Sequence, residues 1–169
     1  MQAVAEPLSR KNIRNITMKL REIIGLEQEP FFPIVEFIEW VLGDPKNDFD
    51  FEIVDSDRMD EYGTTNTITN IMKIRSDVYE GAVKGNPRDR FTLCHELGHF
   101  ILHQPEYISF ARTDECPAYK NPEWQANVFA AELMAPYSIV RGWTAETISE
   151  KCGMSMQAAE IQRKTYGRC

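Results

Sequence analysis

All three histidines of this chain lie between residues 95 and 103, in the stretch RFTLCHELGHFILH (90–103). They follow one another at intervals of four. On an α-helix, residues four apart stand one turn above another on the same face, so the spacing predicts a helix running to about His103. Phe91, Leu93, Leu97, Ile101 and Leu102 supply apolar positions that can anchor that helix in a core. The preceding GNPRDR (85–90) reads as a turn that opens it, with Asp89 near its start.

His95 and His99 present two imidazoles to a common point, and zinc accepts such nitrogens at about 2.0–2.1 Å. Glu96 sits beside the first of them, off the metal line, where it can take a proton from a water on the metal and hand it to a leaving amine. This is the HExxH arrangement of metallopeptidases. Gly98 is expected to leave room beside the metal. His103 is separated from His95 by about 12 Å of helix rise, so one ion cannot hold both. A metzincin would place a third histidine ten positions after the first, where this chain has Pro105. That class is excluded.

The third ligand is then a carboxylate, with Glu106, Asp114, Glu115, Glu123 and Glu132 as candidates. The segment PEWQANVFAAELMAP (122–136) reads as a helix opened by Pro122 and stopped at Pro136. Glu123 shares a face of it with Asn127, and Val128, Phe129 and Leu133 form an apolar side opposite. Glu132 falls about 180° round the helix from Glu123, so the two cannot face the same metal. A carboxylate from a second rigid helix favours a well-defined site, which selects Glu123.

The 169 residues suit one domain with a core of its own. A net charge of −7 argues against a generic nucleic-acid surface. No apolar run of the roughly 20 residues that span a bilayer is present, and the first residues lack the apolar stretch of a secretory signal. Cys94, Cys116, Cys152 and Cys169 show no CxxC pair, which fits reduced thiols in a cytoplasm. Periodicity predicts helices over 7–25 and 33–42, the second burying Ile34, Phe37, Ile38, Trp40 and Val41. Strands are expected over 48–57 and 67–79, with a short extended piece at YISFA (107–111). Two short helices close the chain, with Thr144 and Ser155 as N-caps. The organisation expected is a domain over 1–140 and a helical tail over 141–169, packed on it or appended to it.

Taken together, DRFTLCHELGHFILH (89–103) and PEWQANVFAAELMAP (122–136) resemble the ImmA/IrrE family of zinc metallopeptidases, which typically carries FAAELLMP in the second position. IRSDVYEG (74–81) and the tail TAETISEKCGMSMQAAEIQ extend the likeness over residues 50–165; MAP in place of LMP is a minor departure. The resemblance implies an α+β, zincin-like metallopeptidase domain, with an HExxH active-site helix, a small β-sheet and a C-terminal helical extension. It implies Zn2+ held by His95, His99 and Glu123, with Glu96 as general base. It further implies a cytoplasmic, non-membrane protease of bacterial or phage type that cleaves a helix-turn-helix repressor, in stress, defence or mobile-element control. The activating ligand, single-stranded DNA or a small molecule, stays open. Two other readings stand beside it: a non-catalytic, zinc-containing regulatory module, and a proteolytic toxin acting on another host protein. Structural zinc sites usually close all four positions with Cys and His, which favours catalysis over the module.

Two cysteines differ in prospect. Cys94 points about 100° away from His95 and is expected in the core. Cys116 sits in the DECPAYKNP connection between the two ligand-bearing helices, where a thiolate could complete the zinc site and hold the enzyme off. The resemblance implies latency of this kind in some relatives. A peptide substrate is expected to pair with a strand edge near Ile71–Val78.

Overall fold

In the computed structural model, which describes residues 1–112 and 115–168, the chain starts with strand β1 (Gln2–Ala5) and helix α1 (Arg10–Ile23). A reciprocal cap opens α1: the Ser9 hydroxyl oxygen accepts from the Asn12 amide, and the Asn12 side chain accepts from the Ser9 amide. Helix α2 (Ile34–Glu36) then widens into a π-helical turn, Phe37–Leu42. Ile34, Phe37 and Ile38 are buried as expected, but Trp40 is 74% and Val41 45% exposed. The wider turn, closed by a Gly43 N–H to Ile38 C=O bond, rotates later residues off the 100° ladder and turns the indole out.

A three-stranded sheet follows, built from β2 (Asp50–Val54), β3 (Gly63–Asn66) and β4 (Ile71–Arg75), in the order β2-β4-β3. Strand β4 runs parallel to β2 and antiparallel to β3, so both its edges are paired. Two expectations fail here. The strand over 67–79 shrinks to β4, because residues 67–70 form the β3–β4 turn and Ser76–Val83 coil into helix α3. Asn66 Oδ1 caps the turn by accepting from the Ile68 and Thr69 amides, and Asn70 closes it with a φ of 54°. Asp77 in the first turn of α3 suits the positive helix end, and Val78 and Ala82, one turn apart, are buried. A substrate strand therefore has no edge to join at Ile71–Val78.

Helix α4 (Pro87–Leu102) carries the histidines. Asn86 caps it, accepting from the Arg88 and Asp89 amides ahead of Pro87. Strand β5 (Ile108–Ala111) pairs antiparallel with β1, and helix α5 (Pro122–Met134) follows. Helices α6 (Tyr137–Val140), α7 (Ala145–Cys152) and α8 (Met156–Tyr166) finish the chain, with Thr144 and Ser155 capping α7 and α8. Among the described residues the architecture is thus mixed, helices with two small sheets, and no helix is long and apolar enough to cross a membrane.

Helices α4 and α5 pack together in the core, to which they contribute the buried Leu93, Cys94, Leu97, Val128, Phe129 and Leu133. Gly98 serves this contact rather than the metal: a Cβ there would meet Phe129 Cβ at 3.1 Å and Ala126 Cα at 3.2 Å. Glu132, fully buried, faces the other way. It takes Arg10 at 3.0 Å and Arg14 at 3.1 Å from α1, and the Tyr166 hydroxyl at 2.8 Å from α8. Cys94, Cys116 and Cys152 are free thiols, and Cys94 is in the core as expected. Cys169 lies outside the described residues.

Candidate metal centre

Four-residue spacing on α4 stacks His95 and His99 so that their Nε2 atoms stand 3.0 Å apart. Glu123 reaches both from the first turn of α5. Its Oε2 lies 3.3 Å from His95 Nε2 and its Oε1 3.2 Å from His99 Nε2. Asn121 makes this reach available. It caps α5 by accepting from the Glu123 and Trp124 amides, so the Glu123 carboxylate is not needed there and projects outward, 68% exposed. One donor atom from each of the three residues lies within 4.8 Å of the other two, and among the described residues no other group of His, Cys, Asp or Glu meets that condition. A tetrahedral ion with bonds of 2.0–2.1 Å holds its ligand atoms about 3.3 Å apart, so the separations and the N, N, O donor set fit such an ion.

The other candidates lie elsewhere. Glu106 and Glu115 are outside the donor group, and Glu132 is committed to α1 and α8. Asp114 falls outside the described residues. Cys116 is half-buried with its sulfur 3.6 Å from the Pro117 carbonyl oxygen, and it is not part of the donor group.

Glu96 stands outside the donor group and reaches β3. The Thr65 hydroxyl donates to its Oε2 at 2.7 Å. Burial pushes the Glu96 carboxyl above its ordinary range, the Thr65 hydrogen bond and His95 pull it back, and Glu123 adds to the rise. Burial also pushes His99 down, to about 4, with His95 acting in the same direction and Glu123 against it.

Behind the donors, the second ring nitrogens are engaged. His95 Nδ1 lies 2.9 Å from Asn127 Oδ1. His99 Nδ1 lies 2.9 Å from His103 Nδ1, and His103 Nε2 lies 3.0 Å from Gln125 Oε1. His103 therefore lies outside the donor group, in keeping with its distance along the helix from His95, but it touches His99, a member of that group. Sequence spacing could have suggested Asn127, four residues after Glu123. Thr65 and Gln125 carry no local signal, since each meets α4 from a distant part of the chain.

Strand β3 borders the site with one edge unpaired. The Arg75 amide donates to the Tyr62 carbonyl, and antiparallel pairs alternate between bonded and unbonded. Thr64 and Asn66 therefore bond β4, while Gly63 and Thr65 turn their backbone groups to the open edge.

No curated protein matches the chain. A family model does, over residues 53–162, a span that covers β3, α4, α5 and the donor residues of both helices. The model is that of the IrrE N-terminal-like domain, Peptidase_M78, and matches more than half of the chain. Agreeing with the likeness carried by the two motifs, this match makes the chain a member of the Peptidase_M78 family, and membership implies metallopeptidase activity on a protein substrate.

Proposed function

We propose that the chain is a zinc-dependent endopeptidase that cleaves a helix-turn-helix transcriptional repressor in the cytoplasm, relieving repression in a stress, defence or mobile-element response. The observation that carries the zinc and the chemistry is the convergence of His95, His99 and Glu123 beside Glu96. The repressor rests on the resemblance of the two motifs to the ImmA/IrrE family.

His95, His99 and Glu123 would hold the ion. Its chemistry there would be that of a Lewis acid, which would polarise the scissile carbonyl and acidify an attacking water. Glu96 takes the water's proton; the Thr65 hydroxyl fixes its Oε2, which leaves Oε1 to receive it. Glu96 then passes the proton to the departing amine. Gly63 and Thr65 offer outward N–H and C=O groups to which an extended substrate backbone pairs, next to the carboxylate that Thr65 holds.

The test uses purified protein, its bound zinc measured, incubated with the repressor encoded beside it. Wild type cleaves, and Glu96→Gln keeps its zinc and fold while losing about 10²–10⁴-fold in rate. Equal cleavage by the two proteins would remove Glu96 from the reaction. An intact repressor with both would remove that substrate.

A further inference from the structure

The hydrogen-bonded chain behind His99 has only one consistent arrangement of protons when each ring carries one. Gln125 is fully buried, and its Nε2 donates to two carbonyl oxygens, those of Glu6 and Tyr119, each at 2.8 Å. The reversed amide would set its oxygen against both carbonyls, so Oε1 must be the atom that faces His103. Oε1 can only accept, hence His103 Nε2, 3.0 Å away, carries the hydrogen. His103 Nδ1 is then an acceptor, and His99 Nδ1 at 2.9 Å must be its donor. That leaves His99 Nε2 with a lone pair, aimed at Glu123 and His95. Asn127 Oδ1 does the same for His95 in one step by accepting from Nδ1.

We propose that Gln125 and His103 are positioning residues, which fix His99 in its Nδ1–H tautomer and so present Nε2 as a preformed metal ligand. The inference rests on the metal reading of His95, His99 and Glu123. Its chemistry is that of metal-bound histidines generally, whose second ring nitrogen donates to an outer partner that orients the ring and raises its basicity. Here the acceptor is a neutral imidazole, itself oriented by an amide. The two Nε2 lone pairs, 3.0 Å apart, oppose each other unless a cation lies between them. The chain of bonds also reaches the Glu6 carbonyl, which precedes the family-matched span of 53–162.

Two measurements test it. In zinc-free wild type, long-range proton–nitrogen correlation spectra distinguish protonated from bare ring nitrogens. The expected pattern is Nδ1–H for His99 and Nε2–H for His103. His99 in its Nε2–H form, or His103 with both nitrogens protonated, would overturn the relay.

The second measurement is zinc affinity, by competition with a chromophoric chelator. His103→Phe keeps a ring but no acceptor and should weaken binding by about 10–100-fold. His103→Asn retains an oxygen for the His99 Nδ1–H and should recover most of that loss, which a merely space-filling role would not produce. Wild-type affinity in the phenylalanine variant would overturn the positioning role. If that variant does not fold, the wild-type spectra decide alone. A wild type with the expected tautomers but no zinc uptake would support the relay while sinking the metal reading.

Discussion

A hydrogen atom is all that position 63 can carry. A Cβ built there would stand 2.8 Å from Glu96 Cγ and 2.9 Å from Ile74 Cδ1. The Ile74 methyl can swing aside, but Glu96 Cγ can move only by displacing the carboxylate from Thr65. Misplacing a reacting group by about 1 Å can cost about 10²-fold. Gly63→Ala should therefore lower kcat about 10–100-fold while zinc content stays at the wild-type level. Thr64→Ala, on the exposed opposite face of β3, should change kcat little. A fall in zinc along with kcat would mean that the substitution breaks the whole site instead. At this scale the sequence was informative wherever one helix makes the geometry. The convergence of His95 and His99 follows from a 3.6-residue period, and so does the distance of His103 from His95. Gly63, Thr65 and Gln125 do not, because their roles exist only once separate elements meet.

Helix α5 faces two ways, and its two glutamates show it. Glu123 is exposed beside the histidines, and Glu132, two and a half turns on, is buried among α1 and α8. Removing one partner of a buried charge pair costs about 3–5 kcal/mol. Arg10 and Arg14 retain 29% and 13% side-chain exposure and can recover some hydration, which places Glu132→Ala near the lower end, about 3 kcal/mol. Denaturant unfolding should show that loss with zinc affinity of the folded protein unchanged. Stability within error of wild type would show that the cluster gives no net stabilisation. Element boundaries were legible where caps and period agreed, as at Pro122, Thr144 and Ser155. They were misread where residues fit both periods. In TITNIMKIRSDVY the apolar residues permit a strand throughout, and Asn70 and Ser76–Asp77, which end it, act through a turn and a helix start. Trp40 was misplaced because a π-turn has no sequence period of its own.

For the molecule as a whole, the family match begins at residue 53, yet much of what holds the site precedes it. The Glu6 carbonyl anchors Gln125, and Arg10 and Arg14 satisfy Glu132. Arg21, almost fully buried, donates to the Leu133 carbonyl at the end of α5. Ile13, Phe32, Ile34, Phe37, Ile38 and Phe49 all lie in the core, at 8% exposure or less. Burying a side chain of this size contributes about 1.5–3 kcal/mol, so these six contribute about 9–18 kcal/mol. That is comparable with the entire stability of an ordinary domain, about 5–15 kcal/mol. The matched segment should not fold alone. A chain trimmed to residues 53–168 should melt without a cooperative transition and bind zinc only weakly. A chain lacking residues 1–8 keeps α1 and its Ser9 cap but loses the Glu6 carbonyl. It should still melt cooperatively, with weakened zinc binding. Calorimetry and chelator competition on both read the result. A cooperative melt with wild-type zinc affinity in the 53–168 fragment would show that the N-terminal segment is dispensable to fold and site alike.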